Sequence, residues 1–158
     1  MLTGFILLHL GEEDPNIAEF TMLQDLSFTV EVVYRFELYG PVNLGRLVGC
    51  HSGSTDFRGA IKLLSSGTPG QLLRTLRFIC YIDFQTSLDM EHDVEGHFGE
   101  LDNVLTTSNL LKHITIIFEI RGVRSNFWYR NVADAFERAL PRLHSGNHLN
   151  ITPSAPSR

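Results

Sequence analysis

"LRTLRFICYIDF", residues 73–84, decides how the rest of the chain is read. Leu76, Phe78, Cys80, Ile82 and Phe84 fall on one side of an extended chain, and Arg77, Ile79, Tyr81 and Asp83 fall on the other. Period two is the spacing of a strand, whose successive side chains point to opposite faces. Two other stretches nearly repeat the pattern: "LQDLSFTVEVVYRF" at 23–36 and "LKHITIIFEIRG" at 111–122. In the first, Phe28, Val30, Val32, Tyr34, Phe36 and Leu38 alternate with Thr29, Glu31, Val33, Arg35 and Glu37. In the second, Ile114, Ile116, Phe118 and Ile120 alternate with Thr115, Ile117, Glu119 and Arg121.

All three share the form L-x-x-(L/I)-x-(F/I), read as Leu23/Leu26/Phe28, Leu73/Leu76/Phe78 and Leu111/Ile114/Ile116. Each follows a helix-like segment. Positions 26 and 76 are 50 residues apart and positions 76 and 114 are 38 apart, so the longer gap has room for a degenerate unit at Leu44, Leu47 and Cys50. Regularly spaced leucines that point into a continuous core, on strands that line one parallel sheet, are the logic of leucine-rich repeats. No such unit buries its apolar face alone, so neighbours must stack. The periods here are longer and less even than about 20–29 residues, which makes the array a divergent one.

The segments between the strands have helical spacing. "STDFRGAIKLLSS" places Phe57, Ala60, Ile61 and Leu64 on one stripe behind a candidate N-cap, Asp56. "HFGELDNVLTTS" does the same with Phe98, Leu101, Val104 and Leu105. "RNVADAFERALP" does so with Val132, Ala133, Phe136, Ala139 and Leu140, and Pro141 is expected to end that helix. A first strand is expected at 5–10. A short helix opening at Asp14-Pro15 follows, through Ile17, Ala18 and Met22. A last strand is expected at 148–152. The stretch "NLGRLVGC" within residues 40–55 reads as either a strand or a helical turn. Strands alternating with helices predict parallel pairing through crossovers. The expected fold is therefore α/β: a leucine-rich-repeat-like curved solenoid of four or five strand–helix units, a right-handed β-α superhelix. Residues 1–152 form its single domain and 153–158 a disordered tail.

Bulk composition narrows the function classes. A chain of 158 residues, 43% hydrophobic and 20% charged, can bury a core and should fold. Its net charge of -5 opposes tracking of a nucleic-acid backbone, which relies on Lys and Arg. Two cysteines, Cys50 and Cys80, make no C-x-x-C pair and read as reduced, buried thiols. The N-terminus lacks a basic region ahead of its short apolar run, and no stretch is long enough for a membrane span. These features predict a cytoplasmic or nuclear protein with no nucleic-acid or membrane partner.

Residues 70–152 resemble the C-terminal region of basidiomycete-type F-box proteins with divergent leucine-rich repeats. The resemblance rests on "LLRTLRFICYIDF", "HFGELDNVLTTSNLLKHITIIFEI" and "VADAFERALPRLHSGNHLNIT". In order these give a strand, an aromatic (Phe98, where the family often has Trp) ahead of an LD-x-x-L helix at Leu101, Asp102 and Leu105, and a further strand. A closing element follows at Leu140, Pro141, Leu143, Gly146, Leu149 and Ile151. The resemblance implies protein–protein recognition, as the substrate-binding part of an F-box-type ubiquitin-ligase adaptor. Residues 1–69 match only as generic strands and helices, and no F-box is recognisable in them. The resemblance thus implies a domain truncated at its N-terminus, with the ligase adaptor subunit as a partner only if an F-box lies upstream.

Two polar stretches are candidates for chemistry. "HDVEGH" gathers His92, Asp93, Glu95 and His97, all metal-capable residue types, but H-x-x-x-x-H is not the i, i+4 pairing that holds zinc on a helix. It reads as a charged loop. "GCHSGS" offers Cys50 and His51, yet adjacent residues rarely meet as thiol and base. It also misses the G-x-S-x-G elbow by one place and reads as a flexible loop. No cofactor, metal or catalytic residue is implied. The alternatives are a small α/β enzyme using His92, His97 or Cys50, and a non-functional fragment.

The outward face of the strands is the better candidate. With the leucines in register, Asp25, Thr75 and His113 share a row. Ser27, Arg77 and Thr115 share the next, then Thr29, Ile79 and Ile117, then Glu31, Tyr81 and Glu119. An apolar patch with a charged rim, carrying Tyr and Arg, has the composition of a recognition surface. Arg77, Ile79, Tyr81, Thr115, Ile117 and Glu119 are its predicted protein-binding residues.

Overall fold

The structure, a computed structural model, describes residues 22–37, 45–51, 57–66, 72–86, 94–95, 97–107 and 113–154. The strand expected at 5–10, the helix expected around Ile17 and Ala18, the cap Asp56 and residues 155–158 of the tail expected at 153–158 lie outside them. The first two residues of that tail are ordered, Pro153 ending the last strand and the Ser154 N–H donating to the Ile120 carbonyl at 3.0 Å.

Among the described residues ten elements follow one another: β1 (Asp25–Phe36), β2 (Arg46–His51), α1 (Phe57–Ser65), β3 (Thr75–Thr86), β4 (Val94–Glu95), α2 (Phe98–Thr107), β5 (Thr115–Arg121), α3 (Asn126–Ala139), α4 (Pro141–Ser145) and β6 (Asn150–Pro153). The strands form one sheet in the order β4-β2-β1-β3-β5-β6. β1, β3, β5 and β6 are parallel neighbours in chain order. Each connection between them carries a helix, as parallel pairing demands.

The pairing is not parallel throughout. "NLGRLVGC" resolves as β2, which turns back on β1 antiparallel, with a bulge between Val33 and Tyr34. β2 in turn pairs antiparallel with β4. Gly45 makes the return fit: a Cβ there would overlap the Tyr34 ring, and Arg138 from α3 donates to the Gly45 carbonyl at 2.7 Å.

The core lies on one side of the sheet. Leu26, Phe28, Val30, Leu76, Phe78, Cys80, Ile116, Phe118 and Ile120 are all buried there. They join Phe57, Leu63, Phe98, Leu101, Leu105, Val132, Phe136 and Leu143 from the four described helices in a single cluster. Ile79 and Ile117, on the alternate positions, do not belong to it.

The strand register differs from the leucine alignment. Leu26 pairs with Leu76 as expected, but Leu76 pairs with Ile116 and not Ile114. The phenylalanines decide this. Phe28 stacks on Phe78 at 5.5 Å and Phe78 on Phe118 at 4.8 Å, so the rings form one column. Aligning Ile114 with Leu76 would break that column and lose ring contacts worth about 0.5–1.5 kcal/mol each beyond their area. The shift is two residues, so every side chain keeps its face.

Helix ends differ too. α3 begins at Asn126, ahead of the apolar stripe, because Ser125 caps it: its Oγ accepts from the Trp128 N–H at 3.2 Å. Pro141 does more than end α3. It opens α4, where its missing N–H costs nothing. The residue before it, Leu140, offers no side-chain cap. Asp102 of α2 supplies one from a distance in sequence. Its carboxylate, 3% exposed, accepts from the N–H groups of Arg142 and Leu143, both at 3.0 Å. Arg142 completes the joint by donating to Asn103 Oδ1 at 2.7 Å.

Two stability predictions follow from these contacts. Asp102→Ala leaves two N–H groups without their acceptor and should cost about 2–3 kcal/mol. Urea unfolding should show it as a lower midpoint with an unchanged slope. Phe78→Ala removes the middle ring of the column and should cost about 3–5 kcal/mol, whereas Thr29→Ala on the opposite face should stay within about 0.5 kcal/mol.

Candidate recognition face

The alternate positions of β1, β3 and β5 form the second face of the sheet. Strand pairing sets its rows: Asp25, Thr75 and Thr115; Ser27, Arg77 and Ile117; Thr29, Ile79 and Glu119; Glu31, Tyr81 and Arg121. All six predicted residues share this face. The β5 register moves them relative to one another: Ile117 sits beside Arg77, not Ile79, and Thr115 sits beside Thr75, not Arg77. Glu119 sits beside Ile79, not Tyr81. His113 precedes the strand and leaves the first row.

Exposure is uneven. Thr29, Glu31 and Thr115 are exposed, Tyr81 is 42% exposed, and Ser27, Arg77, Ile79 and Ile117 are intermediate. Glu119 is buried, at 8%. Towards the far end of β1 and β3, Val33 and Gln85 are buried as well.

Alternation puts Arg121 on this face, and the observed register brings it into the fourth row beside Tyr81. It donates to the Tyr81 hydroxyl at 3.1 Å and to Glu119 Oε2 at 3.2 Å, with its guanidinium carbon 5.7 Å from the Tyr81 ring centroid. The hydrogen bond with Tyr81 raises the Arg121 pKa most, burial works against it, and Glu119 adds to the rise. The trio fixes the Tyr81 ring and neutralises Glu119. A second polar chain runs near the strand ends: Arg35 donates to Gln85 Oε1 at 3.3 Å, and Gln85 donates to Asp83 Oδ2 at 3.2 Å.

The two stretches weighed for chemistry come together at backbone level. Cys50 pairs with Glu95 and His51 with Val94, across β2 and β4. Neither stretch is wholly the loop that its composition predicts. Ser52 to Thr55, His92, Asp93 and Gly96 lie outside the described residues. Cys50 is 1% exposed and belongs to the core cluster. His97 stands beside Glu100, with Nδ1 3.8 Å from Oε2. Among the described residues, no three metal-capable side chains gather to hold an ion. A cleft of about 350 Å³ lies beside His113, His148 and Asn150, and one of about 400 Å³ beside Phe127 and Arg130. Among the described residues no cysteine lines either cleft, and Thr115 lines the first beside the two histidines.

No family model, curated protein or solved structure matches the chain. No helix among the described residues is long and apolar enough to cross a membrane.

Cys80, on the core face of β3, is fully buried and a free thiol. Burial pushes its pKa well up, with Cys50 and Glu119 adding to the rise. The unfolded chain therefore loses this proton first as pH climbs past about 8.5. Stability from this group is fully present below that pH. It declines above it, by at most about 1.4 kcal/mol per pH unit. Urea midpoints at pH 7 and pH 9.5 should fall further for the wild type than for Cys80→Ala. At neutral pH, alkylation of Cys80 should run only as fast as the protein opens.

Proposed function

We propose that the chain is a protein-recognition module. Its β-α units form a leucine-rich-repeat-like curved solenoid, and the face carrying Arg77, Ile79, Tyr81, Thr115, Ile117 and Glu119 receives the partner. One observation carries this reading. Parallel strands follow one another in chain order, and every described helix packs into the core on one side of them. A tyrosine and two isoleucines are thereby left on the other face, outside the core. Tyrosine and arginine set among apolar neighbours are typical anchors of protein interfaces.

Following the resemblance, the module is the substrate-binding part of an F-box-type ubiquitin-ligase adaptor. The Asp102 contact supports this, because it gives a physical reason for two motifs of the resemblance to occur together. The aspartate of the LD-x-x-L helix caps the helix that the Leu140-Pro141 element opens. The ligase adaptor subunit enters as a partner only through an F-box encoded upstream. The module performs no reaction, and it works in the cytoplasm or nucleus.

Photo-crosslinking tests the recognition face. A benzophenone side chain placed at position 79 or 117 of the full chain should trap a discrete protein product in cells, and one at position 130 should not. Tyr81→Ala should weaken that product's binding about tenfold while leaving the urea midpoint nearly unchanged. Identical products from all three positions, or none from 79 and 117, would overturn the reading. The ligase assignment stands or falls separately, on whether upstream coding sequence contains an F-box and the whole product binds the adaptor subunit.

A further inference from the structure

Charge on the recognition face is distributed unevenly along the strands. At the strand starts, Asp25 and Arg77 lie on neighbouring strands in adjacent rows and carry opposite charges. At the other end, the last row holds Glu31, Tyr81 and Arg121. Arg121 is already committed to Glu119 and to the Tyr81 hydroxyl. Beyond that row, Asp83 accepts from Gln85, which accepts from Arg35. Glu31 is left as an exposed carboxylate, and no ion pair among the described residues reaches it. It stands beside the most exposed aromatic ring on the face. An exposed carboxylate attracts a cation by charge, and the Tyr81 ring, which already carries the Arg121 guanidinium, offers that cation's aliphatic stem an apolar surface. One row further back, Ile79 offers an aliphatic contact, with Ile117 diagonal to it.

We infer that this face selects a basic protein segment: an aliphatic side chain set on Ile79 and Ile117, with a Lys or Arg reaching Glu31 and Tyr81. The inference rests on the protein-recognition reading and specifies its partner's chemistry. Row spacing sets the geometry. Ile79 and Tyr81 lie two residues apart on β3, about 7 Å at strand rise, so the anchor and the cation are two residues apart in an extended ligand. The chain's net charge of -5 favours approach of such a segment from a distance.

The test uses the full chain and synthetic nine-residue peptides. A fixed leucine anchor is followed two places later by Lys, Glu or Ser, and binding is read by fluorescence anisotropy. The Lys peptides should bind about tenfold tighter than the Glu peptides, and the gap should shrink in 0.5 M salt. Glu31→Lys should reverse the order, and Glu31→Gln should erase it. Both variants are exposed changes, and a matching urea midpoint checks their fold. A preference for Glu, or a Lys preference that survives Glu31→Lys, overturns the inference. Equal binding of all three peptides, lost in Ile79→Asp and weakened in Tyr81→Ala, overturns it too but leaves the recognition face in place. Binding unaffected by any change on the face, or no binding by any peptide, removes both.

Discussion

The column of rings at Phe28, Phe78 and Phe118 is the constraint on which the rest of the structure depends. Three strands are held at one axial level because their rings stack, and the stack continues into the helices. Phe57 meets Phe78 at 6.0 Å and Phe98 at 5.0 Å, and Phe136 meets both Phe98 and Phe118. Each of α1, α2 and α3 thus places one ring against the column or its neighbours. Moving a strand by one residue would turn its core row to solvent. Moving it by two would take its ring out of the stack. The second penalty fixes the register that the first leaves open.

That difference explains what the sequence revealed and what it hid. Alternation in 25–36, 75–86 and 115–121 shows which residues face the core, because burial on one face imposes period two. It does not show axial register when two alignments keep the same face. Leu111/Ile114/Ile116 fitted the leucine pattern, but matching Ile116 and Phe118 to Leu76 and Phe78 preserves the rings. β2 was ambiguous because Gly45 and Gly49 interrupt its pattern, and its reversal depends on Tyr34 packing over Gly45. The start of α3 is hard to read in the sequence because Phe127, Trp128 and Tyr129 have the composition of a strand. A serine cap and the packing of Trp128 on Phe36 and Phe84 make them helical. The Asp102 cap was out of reach, since its carboxylate and the N–H groups it accepts from lie on different helices.

The same physics separates structural polar groups from the rest. Asp102 is buried because two N–H groups satisfy its carboxylate, the condition under which a buried acid is tolerable. Cys80 is buried because its thiol stays protonated and packs as a small apolar group. Cys50 is buried in the same cluster. For Asp102 and Cys80, burial and bonding account for the residue without any chemistry. Glu31 has no such account: it is exposed and forms no described ion pair.

The two faces of the sheet are therefore under different demands. On the core face, ring stacking and helix packing tie each residue to its row, so Phe78 or Leu76 cannot change without disturbing neighbours on both sides. On the other face, Thr29, Glu31, Ile79 and Tyr81 ride on strands whose register is already set from beneath. Folding leaves their identity open, apart from modest cross-strand terms. Residues that the fold does not determine are the ones available to recognition. The Arg121 bridge orders this face, because one guanidinium ties the Tyr81 hydroxyl and the Glu119 carboxylate together. On the proposed function, the exposed Glu31 carboxylate beside that ring is the charge a partner would read.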